Sequence, residues 1–411
     1  MHNAFVFPFA MLMALSSGLC QVMPGDTHME AYLPMLEGKR VGVVCNHTAV
    51  VHNAAGTPVH LIDTLIARGI EVRAAFGPEH GFRGDLPDGE KAQSGTDTRS
   101  GIAVRSLYGT HKKPSAAQLE DIEIMVFDIQ DVGVRCYTFL STLFLVMEAC
   151  AEQEIPLVIL DRPNPNGHLT AGPMLDTSLV RSFVGFLPIP LAHGMTLGEL
   201  ADMGNQEGWL GGGYSHAPTP ALRCDLHVIP VTGWTRQQKW SPQLAPSPNL
   251  PSAEAIQLYP HLVLLEATLA SVGRGTSAPF TMVGFPGMLR AAHRFTPTPN
   301  AASKYPKHAG KECQGFSMIR RLGAWNAQQG EDRLHLDVLL ELQAGWMSTP
   351  AGDQSPFIDR PEFFDQLAGG PSLRLALEKG TSLQTLTAQW TKARSGFMEN
   401  RSRYLRYPDG H

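Results

Sequence analysis

Short, almost wholly apolar runs alternate along this chain with longer stretches whose apolar residues recur at helical spacing. Arg40 to Cys45 is the first such run and ends in Asn46-His47-Thr48. A helix is predicted from His60 to Ile70 with Leu61, Leu65 and Ile66 on one face, then a second strand from Glu71 to Phe76. A third strand is predicted from Ile122 to Ile129, a helix from about Thr138 to Gln153, and a further strand from Pro156 to Leu160. Strands that are apolar on both faces belong inside a parallel sheet covered by helices on either side. The expected fold class is therefore α/β, a Rossmann-like doubly wound, mainly parallel sheet.

Farther along, Thr196 followed by Glu199 is a capping-box pattern that opens a helix reaching Gly208, which gives Glu199 a structural use. Gly211 to Pro220 reads as a loop, and Pro242, Pro246, Pro248 and Pro251 fix an extended path that holds Asn249. Arg333 to Gln343 alternates like a strand and later segments are helical. The expected division is a signal segment over 1–22, the Rossmann-like domain over 32–287 and a smaller α+β C-terminal domain over 288–411.

With 411 residues, 43% hydrophobic and 17% charged, the composition is that of a globular protein with enough apolar surface for a sizeable core. A net charge of -5 supplies no broad positive field, so nucleic acid is not an expected partner. Ala4 to Leu19 is apolar and carries small residues at Ser16, Ser17 and Gly18, like a secretory signal core and cleavage region. No Lys or Arg precedes it and Pro8 interrupts it. The expectation is a periplasmic or extracellular protein, with lipidation at Cys20 the lesser alternative. No later stretch reaches the roughly 18 apolar residues of a stable membrane span. The six cysteines lack the paired spacings of zinc or redox sites and read as buried small apolar residues.

Ligands of open α/β sheets bind outside the carboxyl ends of the strands, so Glu79-His80, Asp128-Gln130-Asp131 and Asp161-Arg162 are expected to converge on one crevice. No Gly-rich phosphate loop follows an early strand, and no G-x-S-x-G elbow is present; Ser94 has no pattern marking it as a nucleophile. Glu79, His80, Asp128 and His193 could gather a metal, but no pair of His at i and i+4 supports it. A carboxylate-rich crevice is what glycoside hydrolysis needs, with one carboxyl as acid and a second as base, nucleophile or stabiliser. Glu79, after Phe76-Gly77-Pro78 and before the Gly81-Phe82-Arg83-Gly84 loop, is the acid candidate. Asp128, Asp131 and Asp161 are candidates for the second role. Arg135, Arg162 and Arg274 could grip a substrate carboxylate through paired N–H donors, and Tyr108 and Tyr137 could pack against a ring.

The long ordered motifs resemble the NamZ-like exo-β-N-acetylmuramidases. They include Gly42 to Thr48, Phe76 to Gly84, Phe127 to Thr138, Leu160 to Pro165, His193 to Thr196, Pro248 to Pro251 and Ser271 to Thr276. The likeness continues through Arg360-Pro361 to Arg401–Leu405, although Thr281 to Gly287 matches the family only loosely. It implies a cleft between a Rossmann-type domain and a smaller C-terminal one. It also implies exo-acting release of N-acetylmuramic acid from peptidoglycan-derived saccharides or muropeptides, without a nucleotide cofactor; no cofactor and no metal are expected. Glu79 matches the catalytic-acid position, while Asp128, Asp131, Asp161 and Glu266 all lie in matching motifs for the second group. His80, Arg83, Gln130, Asp131, Arg135, Tyr137, Arg162, Asn164, His193, Asn249, Glu266 and Arg274 are the residues expected to bind substrate. The same crevice would also serve a non-catalytic muropeptide-binding protein or, less directly, a metal-dependent amidase or esterase.

Overall fold

A computed structural model describes residues 21–53, 55–83, 95–211, 222–289, 291–327, 333–352 and 355–409. The Ala4–Leu19 stretch with Cys20, as well as Gly84, Ser94 and nearly all of the Gly211–Pro220 loop, lie outside them.

The central sheet has seven strands: β1 (Arg40–Cys45), β2 (Glu71–Gly77), β3 (Gly95–Thr96), β4 (Ala103–Ser106), β5 (Ile124–Asp128), β6 (Leu157–Leu160) and β7 (Leu226–Ile229). Their order is β7-β6-β5-β1-β2-β4-β3. Every pairing is parallel except that of β3 with β4. Apart from that edge, two halves wind outward from β1 and β5, the doubly wound arrangement expected of these apolar runs.

Alternation along each strand divides the core into two layers. Val44, Phe76, Met125, Phe127 and Ile159 point into one cluster, with the helix Thr138–Glu152, while Val41, Val43, Val126, Val158 and Leu160 point into the other, with Leu61–Ala67 and Met29–Leu36. The helix Thr138–Glu152 buries every residue from Phe139 to Cys150, because its sequence is apolar almost all round. In Leu61–Ala67 the buried face is Leu61, Ile62 and Leu65. Ile66, predicted on that face, is exposed.

The predicted alternating strand at Arg333 to Gln343 is instead the helix Asp337–Met347. Its buried residues Val338, Leu339, Leu342 and Trp346 recur at helical spacing, and that period overrides the short alternation before it. Met282–Phe285, expected in the first domain, pairs antiparallel with Cys313–Ser317, which also pairs with His293–Phe295. A boundary at 287 therefore cuts through one three-stranded sheet. The chain closes by running back over the first half, where Tyr407 packs edge-on against Trp234 and Arg406 pairs with Asp202.

The described cysteines, Cys45, Cys136, Cys150, Cys224 and Cys313, are buried free thiols. Among the described residues no helix is long and apolar enough to cross a membrane.

Candidate active site

Where β2 ends, Gly77 comes so close to the following loop that a Cβ there would meet Phe82 N at 2.8 Å. The chain turns at once, with Gly81 N–H donating to the Pro78 carbonyl at 3.0 Å and His80 in the left-handed region at φ 70°. A non-glycine residue at positive φ costs free energy, and such residues gather at functional sites. Glu79 is half-buried between Pro78 and this strained residue.

The next element over fixes the carboxyl group. Thr138, first residue of the long buried helix, donates from Oγ1 to Glu79 Oε2 at 2.6 Å. Both side chains open into a cavity of about 620 Å³, a size suited to a small ligand. Tyr108, Tyr137, Phe183, Tyr259, Phe280 and Phe363 supply its aromatic wall. Tyr137, Tyr259 and Phe280 meet in successive edge-to-face contacts at 5.9 and 5.1 Å, a geometry that holds the rings rigid.

Beside these rings the lining carries Glu266 and Arg274. Arg274 Nε donates to Glu266 Oε1 at 2.5 Å and Nη2 to Oε2 at 2.9 Å, and the guanidinium lies 5.2 Å from the centre of the Phe280 ring. Lys112 and Arg360 also line the cavity. Asn249 is buried on this lining; its Nδ2 donates to the Ala302 carbonyl, and its Oδ1 accepts no hydrogen bond from the described residues. An uncompensated buried acceptor is costly, so a ligand N–H or O–H placed there would recover that cost.

Of the residues singled out from the sequence, Glu79, His80, Tyr108, Tyr137, Asn249, Glu266 and Arg274 line this cavity. The single crevice expected at the strand ends is corrected: the others form a closed layer beside it. Asp128, fully buried at the end of β5, accepts from Arg162 Nε at 2.6 Å and Nη2 at 3.0 Å. Arg162 Nη2 also donates to Asp26 at 2.6 Å, so its guanidinium faces two internal carboxylates and does not line the cavity. Asp161 accepts from Thr196 Oγ1, Gly198 N, Tyr407 Oη and Arg162 N, and it ties the end of β6 to the next helix and to the C-terminal segment.

Arg135 is fully buried and donates to the carbonyls of Pro173, Ile189 and Leu367, which makes it a strut between segments. Gln130 donates to the Asp131 and Pro163 carbonyls, and Asn164 donates to the Met195 carbonyl and accepts from Asn166 N. Asp131 accepts from Gly133 N at 2.6 Å and lies 3.8 Å from His193 Nε2. Burial pushes the Asp131 carboxyl up to about 7. Burial, with the charges of Arg401 and Arg135, pushes the His193 imidazole down to about 3. The space beside Asp131, Asp161 and Asn164 is about 10 Å³, too small for a sugar. Arg83 pairs through Nε and Nη2 with Asp97 at 3.0 and 2.8 Å and so fastens the loop after β2 to the sheet edge.

Sequence reasoning missed Thr138 as a site residue, although its position at the start of a helix after a strand end was readable. It also missed Lys112 and Tyr259, which reach the cavity from segments with no motif of their own, and Arg360 and Phe363, which lie in the matching C-terminal stretch but were given no role. Asp26, the second partner of Arg162, carried no signal at all. Among the described residues no cluster of three or more His, Cys, Asp or Glu could hold a metal ion.

The family model for the N-terminal part of the exo-β-N-acetylmuramidase NamZ matches residues 41–254, and that for the C-terminal part matches 257–407. The peptidoglycan β-N-acetylmuramidase NamZ of Bacillus subtilis (strain 168) is 35% identical over 411 residues, covering 93% of this chain and 90% of that protein. A DUF1343 family protein of Bacteroides fragilis NCTC 9343, known from a crystal structure, superposes with a TM-score of 0.81 at 38% identity, over 95% of this chain and 100% of its own. A second from the same organism gives 0.75 at 26% identity, over 94% and 99%. The chain belongs to the NamZ family of exo-β-N-acetylmuramidases.

Proposed function

We propose that the protein is an exo-acting glycoside hydrolase that releases N-acetylmuramic acid from the non-reducing ends of peptidoglycan fragments, with Glu79 as its catalytic acid. The observation that carries this reading is Glu79 itself, oriented by Thr138 into a hollow of about 620 Å³ that also holds the carboxylate of Glu266. With Oε2 held as an acceptor, Oε1 is the oxygen that delivers a proton to the glycosidic oxygen. The C–O bond then breaks, the remaining saccharide leaves as an alcohol, and positive charge develops at the anomeric carbon.

Glu266 is the group best placed to meet that charge, since Asp128, Asp131 and Asp161 do not line the cavity. Water supplies the hydroxyl at the anomeric carbon and returns a proton to Glu79. Aromatic faces suit the apolar face of a sugar ring. Asn249 Oδ1 offers an acceptor for the acetamido N–H, and Lys112 and Arg360 offer positive charge for the lactyl carboxylate.

The apolar Ala4–Leu19 stretch supports export to the periplasm or beyond, where such fragments arise. Cleavage of that leader is checked by N-terminal sequencing of the protein recovered from its host. The activity is tested with a chromogenic β-N-acetylmuramide and the matching N-acetylglucosaminide: the first is hydrolysed and the second largely spared. Absence of turnover of any muramide between about pH 4 and pH 9 removes the proposal and leaves a binding protein.

A further inference from the structure

Beyond the Glu266–Arg274 pair lies a second hollow of about 650 Å³, as large as the first. Glu266, Arg274, Arg360 and Phe363 line both, so the ion pair stands between them as a partition. The outer wall comes from one short segment holding Lys304, Tyr305 and Lys307. Tyr305 is 94% exposed, an aromatic face held out beside the opening. Lys307 is half-buried and donates from Nζ to the Thr268 carbonyl.

The charge balance of this hollow differs from what a neutral sugar requires. Its lining carries the cations Arg274, Lys304, Lys307 and Arg360 and one carboxylate, that of Glu266, which Arg274 already pairs; Asp359 acts on Lys307 from behind the lining. Clefts lined by one sign of charge concentrate ligands of the other. Burial pushes the Lys307 ammonium down to about 8, and an arriving carboxylate would repay part of that lost hydration. Neutral saccharide subsites need ring faces and hydrogen bonds, whereas a surplus of ammonium and guanidinium groups suits carboxylates.

We propose that this second hollow is an arm of the substrate site that binds a carboxylate carried by the fragment beyond the terminal sugar. That carboxylate belongs either to a stem peptide or to the lactyl group of a muramic acid farther along the strand. The inference rests on the glycosidase reading above and extends it to substrate choice: fragments bearing an acidic extension are preferred over those without one.

The test compares kcat/KM on three substrates: a disaccharide of N-acetylmuramic acid and N-acetylglucosamine, a trisaccharide ending in a second muramic acid, and the disaccharide bearing a stem peptide. Lys304 is exposed, so Lys304→Glu folds; Lys307→Gln is the second variant. The expected result is that Lys304→Glu lowers the preference for one of the two acidic substrates over the plain disaccharide about tenfold, mainly through KM. Raising salt lowers the same preference in the wild type. Whichever acidic substrate responds identifies the source of the carboxylate. An equal effect on all three substrates, or none in either variant, overturns the proposal while the glycosidase reading stands. A wild type that cleaves none of them removes both.

Discussion

Two strand ends of one sheet have opposite fates here. After β2 the chain makes a strained turn and leaves Glu79 beside open space, held by a single hydroxyl from the neighbouring helix. After β5 and β6 the carboxylates of Asp128 and Asp161 are sealed, each answered by donors from within the protein. The switch point of the doubly wound order lies between β1 and β5, where open α/β sheets commonly bind ligands. Beside it, the turn Gly25–Thr27 closes over the ends of β6 and β7. Gly25 passes so close that a Cβ would stand 2.4 Å from the Ile229 carbonyl oxygen, and Asp26 reaches Arg162. A polar strand end is thus a place where chemistry can sit, and the neighbouring chain decides whether it does.

The most disruptive way to probe the difference is to break the sealed side. Arg162→Met leaves Asp26 and Asp128 buried without their shared cation, and removing one partner of a buried pair costs about 3–5 kcal/mol. Urea unfolding should show a loss of that order, while turnover per folded molecule stays within about twofold. A loss below about 1 kcal/mol with a collapse of turnover would place Arg162 in the chemistry and end the contrast.

Glu79→Gln is the reverse experiment. Losing general acid catalysis lowers kcat by about 10²-fold or more, whereas the half-buried amide leaves the unfolding midpoint nearly unchanged. If kcat survives, the open cavity is not where the bond is broken. Thr138→Val sharpens the same point more gently: without its hydroxyl the carboxyl loses orientation and kcat drops about tenfold with KM little altered. Thr138→Ser should restore most of that loss. A deficit that serine fails to restore would mean that packing at the helix start, and not the hydrogen bond, is what matters.

The sequence exposed most of the frame because β1, β5 and β6 are apolar on both faces, a pattern with few other uses. It exposed Glu79 too, since Pro and Gly around a carboxylate at a strand end mark a turn. What it could not expose was which neighbouring segment closes over each polar end. Asp128 and Glu79 look alike in one dimension; Asp26, more than a hundred residues from Arg162, makes the difference. Arg135 is the same lesson for a cation. Its paired N–H donors suggested a grip on a substrate carboxylate, yet three carbonyls from distant segments take them. The helix at Asp337–Met347 was misread because a few alternating residues precede a longer helical period.

A subtler effect expected on the sealed side is a change in the slope of stability with pH, and it comes from Asp131 and His193, 3.8 Å apart. His193 titrates near 3 when folded and near 6.5 when free, so the unfolded chain binds the extra proton between those values and stability rises with pH there. Asp131 titrates near 7 when folded against 3.8 when free, so the native protein binds the extra proton and stability falls as pH rises through that range. From about pH 4 to pH 6.5 the two slopes oppose each other and the wild type is nearly flat from this pair. Asp131→Asn leaves the histidine alone, facing Arg135 and Arg401, and its stability should climb across this window by up to about 1.4 kcal/mol per pH unit. His193→Gln should show the opposite slope. Urea midpoints measured at several pH values decide the matter: if both variants run parallel to the wild type, this buried pair exchanges no protons on unfolding and the sealed layer is electrostatically silent.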